Sequence, residues 1–203
     1  MDVGTVILCV RADHVEILPD EIQFSKKIKI FTVTDETFDE HITYRILHND
    51  LENGLIKDDD KIIYIHARGT SRSAEEQSTR CADAWTKCME YFLIEGWRKV
   101  DSVLDTHSTC GCELFKHSSG WHYSGNFWGA RVDYLKAHTQ APDISGRDDR
   151  GNRCSERWIL KSLTHGADNV SNHYCLHATG TGYVPAINTY EVIYDKSKYI
   201  VSA

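Results

Sequence analysis

Between Gly120 and Leu135 the chain reads Gly-Trp-His-Tyr-Ser-Gly-Asn-Phe-Trp-Gly-Ala-Arg-Val-Asp-Tyr-Leu. Trp121, Tyr123 and Trp128 supply aromatic faces; His122 and Asn126 set hydrogen-bonding groups among them. A pyranose has apolar CH faces and a rim of hydroxyls, so this mixture suits a sugar pocket. The interspersed glycines let backbone approach a ligand. The same residues would also build a strand–turn–helix junction around a plain aromatic core, because Trp and Tyr are common there.

A second set of chemically competent residues follows the apolar runs. One run ends in His66-Ala67-Arg68-Gly69, another in Thr32-Val33-Thr34-Asp35, and the first in Val10-Arg11-Ala12-Asp13-His14. In open α/β sheets ligands gather at the carboxyl ends of strands, so Arg11, Asp13, Thr32, Asp35, His66 and Arg68 are expected near one rim. Arg68 beside Gly69 can fork onto the oxygens of a diphosphate, whereas Arg72 reads as a surface charge. His66 reads as a hydrogen-bonded structural imidazole or as a metal ligand. Arg11 would touch a base or phosphate, or pair with a carboxylate.

Strands alternating with helices must position these groups. Thr5 to Val10, Lys29 to Val33 and Lys61 to His66 are short β-branched runs of the kind buried on both sides of a sheet. Asp39 to Leu51 has helical spacing and stops at Asn53-Gly54. Asp58-Asp59-Asp60 reads as a solvated turn. From Ser73 to Leu104, Trp85, Cys88, Met89, Phe92, Leu93, Trp97 and Val100 repeat at three- and four-residue steps, the core face of a long helix or helix pair with Gly96 as the expected break. Short strands are expected at Cys110 to Phe115 and Phe127 to Ala130, with a helix from Arg131 to Ala137. Asp143 to Asn152 reads as a loop, and Ser155 to Leu163 as a short helix with Trp158 and Ile159 inward. The alternation implies an α/β fold with a mostly parallel central sheet flanked by helices on both faces.

The whole chain, 203 residues with 41% hydrophobic and 26% charged content, suits one domain with a full core. A formal charge of −7 argues against general nucleic-acid binding, which needs a basic footprint. Met1 to Val10 is too short for a membrane span and lacks the basic start of a signal peptide. Seven cysteines, an odd count, point to free thiols in a reducing, cytoplasmic setting. Cys110-Gly111-Cys112 has no second pair at zinc-ribbon spacing, and Cys81 and Cys88 share one helix face.

Four blocks occur in a fixed order: Tyr64-Ile65-His66-Ala67-Arg68-Gly69, the Trp85 to Phe92 helix, His122-Tyr123-Ser124-Gly125-Asn126-Phe127-Trp128, and Ser155-Glu156-Arg157-Trp158-Ile159. Together they resemble a family of small glycosyltransferase domains with the GT-A (Rossmann-like) fold. Similar domains form the N-terminal part of a chlorella-virus multidomain glycosyltransferase. The likeness is strong over residues 60 to 165 and weak over the first 60. In that family the third strand usually ends His-Thr-Lys-Gly and the later block ends Phe-Trp-Trp. Here Arg68 replaces the Lys, and Gly129 replaces the second Trp, which would open space near an acceptor.

The resemblance implies a single GT-A-like domain over residues 1–190, with 191–203 a C-terminal strand or linker. It implies transfer of a hexose from a nucleotide-diphosphate sugar, with a UDP-sugar the favoured donor, to a saccharide hydroxyl in glycan synthesis. The setting would be the cytoplasm, that of the host if the protein is viral. Arg11, Asp13, Thr32, His66, Arg68, Gly69 and His122 would bind the donor, with Arg68, His66 and His122 stabilising charge on the leaving diphosphate. Trp121, Tyr123, Asn126 and Trp128 would shape the sugar and acceptor pockets. Glu156 would be the single carboxylate base of an inverting transfer, with Asp133 and Asp149 as weaker substitutes. A lone base differs from the two carboxylates typical of a glycoside hydrolase. Mn²⁺ or Mg²⁺ stays an open cofactor, because His66-Ala67-Arg68 occupies the place of the usual Asp-x-Asp. His173 and His177 could add a ligand only on a helix. Two other classes compete: a metal-dependent hydrolase built on His66, His122, His173 and His177, and a non-catalytic sugar-binding domain using the same aromatics.

Overall fold

The computed structural model describes residues 6–24, 26, 28–33, 40–66, 77–117, 120–139, 154–180, 185 and 192–200. Strand β1 (Val6–Arg11) leads through a 3-10 segment (Ala12–Ile17) and the single-turn α1 (Asp20–Gln23) to β2 (Ile28–Val33). Helix α2 (Glu40–Glu52) and strand β3 (Lys61–Tyr64) follow. Helix α3 (Gln77–Glu90) widens into a π turn (Tyr91–Glu95) and resumes after Gly96 as α4 (Trp97–Val103). Strands β4 (Thr109–Cys112), β5 (Leu114–His117), β6 (Gly120–Tyr123) and β7 (Trp128–Arg131) run into α5 (Val132–His138). A 3-10 helix (Cys154–Leu160), α6 (Lys161–Thr164) and β8 (His173–His177) complete the main body.

The class is α/β, but the sheet differs from the expected one. Strands pair in the order β3-β7-β4-β8, with β7 antiparallel to both neighbours and only β4–β8 parallel. β1 and β2 form a separate parallel pair, and β5 with β6 an antiparallel hairpin. The mostly parallel sheet is therefore corrected to mixed sheets. β7 returns directly from the β5–β6 hairpin, so no crossover helix reverses its direction before it enters the sheet.

Strand alternation builds a core on each side of the larger sheet. Trp128 and Ala130 of β7 face one cluster with Tyr44, Leu47 and Leu51 of α2, Leu135 of α5 and Trp158. Cys110 and Cys112 of β4 face the other, with Trp85, Cys88, Met89, Leu93, Val100 and Val103. Helices thus cover both faces, and Cys81 and Cys88 are both buried on α3 as their spacing predicts. Gly129 also points to the α3–α4 side. A Cβ there would stand 3.0 Å from both Cys110 Sγ and Val100 Cγ1. The missing side chain makes room for α4 rather than for an acceptor, correcting that expectation.

A buried chain of polar contacts pins β8. Asp168 Oδ2 lies 3.0 Å from His173 Nε2, His173 Nδ1 lies 2.8 Å from Thr109 Oγ1, and Thr109 Oγ1 lies 2.8 Å from the Tyr123 hydroxyl. At the C-terminal end Tyr199 is buried in the α3–α4 core, and the described part of this segment forms a 3-10 turn at Lys196–Lys198. Among the described residues no helix is long and apolar enough to cross a membrane.

Candidate functional site

The site is built where β3 ends and β7 begins. Tyr64 pairs in register with Trp128, so the residues after Tyr64 meet those before Trp128. His66 Nε2 lies 3.0 Å from the Gly125 carbonyl oxygen, and its ring stacks on Tyr64 and meets Phe127 edge-on. The intervening turn has Gly125 at φ 86° and Asn126 at φ 59°, both left-handed, so the short Ser124-Gly125-Asn126 sequence reverses the chain sharply.

Side chains from three elements grip this turn. Besides His66, Trp85 of α3 donates its Nε1–H to Ser124 O at 3.2 Å, and Asn126 Nδ2 donates to the Tyr44 hydroxyl of α2 at 2.7 Å. Beneath it lies an aromatic stack. Ring centroids are 4.7 Å apart for Tyr44–Trp158, 4.9 Å for Tyr44–Tyr64 and 5.0 Å for Tyr64–Trp128. Trp158 belongs to the 3-10 helix that also carries Glu156 and packs against β6. Residues from the blocks around 64–69, 122–128 and 155–159 therefore converge on one stack.

The same packing corrects most of the expected sugar pocket. Tyr123 is 1%, Asn126 2% and Trp128 0% exposed. A sugar stacks on an open ring face, and these faces are sealed against other side chains. Tyr123 is further held through its hydroxyl by Thr109. Trp121 alone of the four stays half-buried, with Lys116 Nζ 5.9 Å from its ring centroid. The composition of this block is that of a sugar site; its placement is that of a core.

His122 is corrected in its electrical role. It pairs across the hairpin with Phe115, ring centroids 4.1 Å apart. Burial pulls its pKa down from 6.5 to about 4, with His117 and Arg157 adding repulsion. It is neutral at pH 7 and offers no positive charge to a diphosphate.

The other predicted residues are dispersed. Thr32 is exposed near the end of β2, and Arg11 ends β1 opposite Val33 in register, so parallel pairing brings these two strand ends together. Asp13 lies in the 3-10 segment that follows. The side chains of Arg11, Asp13 and Glu156, and all of Asp35, Arg68, Gly69, Arg72, Asp149 and the loop from Asp143 to Asn152, lie outside the described residues. Asp133 is at the wrong end of the sheet for a base. It follows Arg131, which pairs with Lys61 at the start of β3, and Arg131 grips it through two guanidinium hydrogen bonds. Those bonds hold its carboxyl below the usual range, which weakens it as a proton acceptor.

Sequence reasoning missed the continuation of this rim at the ends of β4 and β8. Glu113, buried and at φ 49°, accepts the Thr179 amide through Oε1; its own N–H donates to His177 O at 2.8 Å, and its carbonyl accepts Ser124 N–H at 3.1 Å. His177 Nε2 in turn lies 2.7 Å from the Tyr194 hydroxyl. Nothing local in Cys-Gly-Cys-Glu signals these long-range partners.

Among the described residues no group of three His, Cys, Asp or Glu side chains could hold a metal. His173 and His177 lie on a strand, not a helix, so four residues separate them by about 13 Å. Each has its own partner, Asp168 and Tyr194 respectively. The four histidines expected for a hydrolase site therefore do not converge, and the described rim does not fit the oxygen-rich shell of Mn²⁺ or Mg²⁺. No protein-family model, curated protein or solved structure matches the chain.

Proposed function

We propose that this chain is a GT-A-type glycosyltransferase that moves a hexose from a nucleotide-diphosphate sugar to a saccharide hydroxyl. The observation that carries the proposal is convergence: three blocks far apart in sequence meet on the Tyr44–Tyr64–Trp128–Trp158 stack at the carboxyl end of β3. That end is where an α/β sheet offers a ligand its strand termini and loops.

In this reading His66 anchors the strand end by donating to Gly125 O, and Arg68, two residues on, meets the diphosphate with its guanidinium fork. Arg11, Asp13 and Thr32 cradle the nucleoside. Glu156 takes the proton of the acceptor hydroxyl as that oxygen bonds to the anomeric carbon. The bond from the anomeric carbon to the diphosphate breaks, and the nucleoside diphosphate leaves with the electron pair, its charge met by Arg68. No step runs through a metal. The donor, a UDP-sugar by preference, and the saccharide acceptor are the expected partners, in a reducing, cytoplasmic setting.

A thermal-shift screen of nucleotide sugars, with and without Mn²⁺, tests donor binding directly, because a ligand raises the melting temperature by mass action. Glu156→Gln is expected to keep donor binding and lose about 10²–10⁴-fold in transfer. Undiminished turnover would remove Glu156 as the base, and a screen without any shift would remove the donor site.

A further inference from the structure

Outside the rim an open cavity of about 690 Å³ lies between the outer face of α3, the π turn and the C-terminal segment. We infer that this groove binds a neutral oligosaccharide. Its volume falls in the range of roughly 300–1,000 Å³ common to small-molecule sites.

The aromatic part is a row of tyrosines. Tyr199 lies between Tyr91 and Tyr194, with ring centroids 5.5 and 5.9 Å apart, and the Tyr194–Tyr199 rings are nearly parallel at 17°. Tyr91 and Tyr194 are half-buried, so each keeps ring surface for a ligand; Tyr91 also keeps its phenolic hydroxyl, whereas that of Tyr194 is taken up by His177 Nε2. This is the pairing of apolar face and hydroxyl that Tyr123 and Trp128, sealed in the core, do not offer.

The walls are ionic. Arg80, Lys87 and Lys196 alternate with Asp83, Glu90, Glu95 and Asp195. Along α3, Arg80, Asp83, Lys87 and Glu90 recur at three- and four-residue steps, opposite the face that buries Trp85, Cys88 and Met89. Among the described residues none of the seven enters an ion pair. Neither sign prevails, which disfavours a polyanion and a polycation alike. Asp195 accepts the Ser197 amide, while the other carboxylates and the cations of the wall suit the alternating hydroxyls of a neutral sugar.

Side-chain contacts tie the wall of the groove to the rim. Tyr194 bonds to His177 Nε2, and its ring meets edge-on that of Trp85, which clamps Ser124 beside the His66–Gly125 contact. The π turn in its wall is a kind of helix irregularity frequent at functional sites.

The test uses the full-length protein with cellobiose, maltose, lactose and chitobiose as probes, by saturation-transfer NMR. Titrations with the nucleotide sugar that gives the largest thermal shift run in parallel. At least one disaccharide is expected to bind, and the paired substitution Asp83→Asn with Glu90→Gln, both on the outer helix face, should weaken it about tenfold while leaving the donor affinity unchanged. Tyr91→Phe should weaken it less and keep the fold. Absence of binding by all four sugars at tens of millimolar, or binding untouched by these substitutions, would overturn the groove as a saccharide site.

Discussion

The two ends of the four-stranded sheet are built on opposite principles. At the end where β3 starts, cations meet carboxylates. Lys61 reaches Asp101 and Asp105 at 2.9 and 2.6 Å, Arg131 grips Asp133, and Lys136 meets Asp58. At the end where β3 finishes, His66, Trp85 and Glu113 spend their hydrogen bonds on backbone, and Asn126 spends one on a tyrosine hydroxyl. The first end is electrically closed, since a ligand there would have to break ion pairs. The second fixes a turn with side chains from three elements and uses no described cation to do so, so an arriving anion displaces no ion pair among the described residues there.

The contrast is easiest to break inside β4. A Cβ on Gly111 would stand 2.6 Å from the Tyr123 ring and 2.9 Å from Phe127 O. Gly111→Val is therefore expected to cost 3 kcal/mol or more, roughly the upper end for an overpacked core, and to appear as a collapse of the melting transition. A transition like that of the unsubstituted protein would mean that the rim is not packed as described.

A second lever is pH. His122 has a folded pKa of about 4 against 6.5 for the unsubstituted side chain. Between those values the unfolded chain takes up the proton and the folded one does not. The contribution is thus complete above pH 6.5 and falls away as the pH drops toward 4, by at most roughly 3 kcal/mol. Denaturant titrations across that range should show the slope, and His122→Gln should flatten it. An unchanged slope in the variant would place the titration elsewhere.

The smallest effects compare the ends directly. Trp85→Phe removes the donor to Ser124 O and should cost about 1 kcal/mol of stability, with a fall in kcat/KM for transfer. Asp133→Asn removes a partly exposed pair and should cost less than about 1 kcal/mol, with turnover unchanged. Equal effects on turnover would erase the distinction between the ends.

Helix periodicity made much of this architecture legible. The stripe from Trp85 to Val100 and the stop at Asn53-Gly54 follow from side-chain spacing, and Gly96 does divide the long helix. Strand direction is different in kind. A short buried run such as Trp128–Arg131 carries no mark of whether it pairs parallel or antiparallel, because both arrangements bury the same alternating faces. The sugar pocket failed for a related reason. An aromatic ring beside a hydroxyl has one composition whether it faces solvent or another ring, and only the third dimension separates Trp121 from Trp128. His66 was legible as a strand-end group, while its partner Gly125, distant in sequence, was not.

The π turn at Tyr91–Glu95 sets the phase between two helices. It closes through Gly96 N–H to Tyr91 O at 2.9 Å, fitting one more residue into the coil than a regular turn holds. Adding or removing a residue elsewhere in this helix, where no wide turn absorbs it, would rotate everything after it by about 100°. Val100 and Val103 would swing off the sheet, and the tyrosine row would lose its register with the C-terminal segment. Length, rather than composition, is the property this segment must keep.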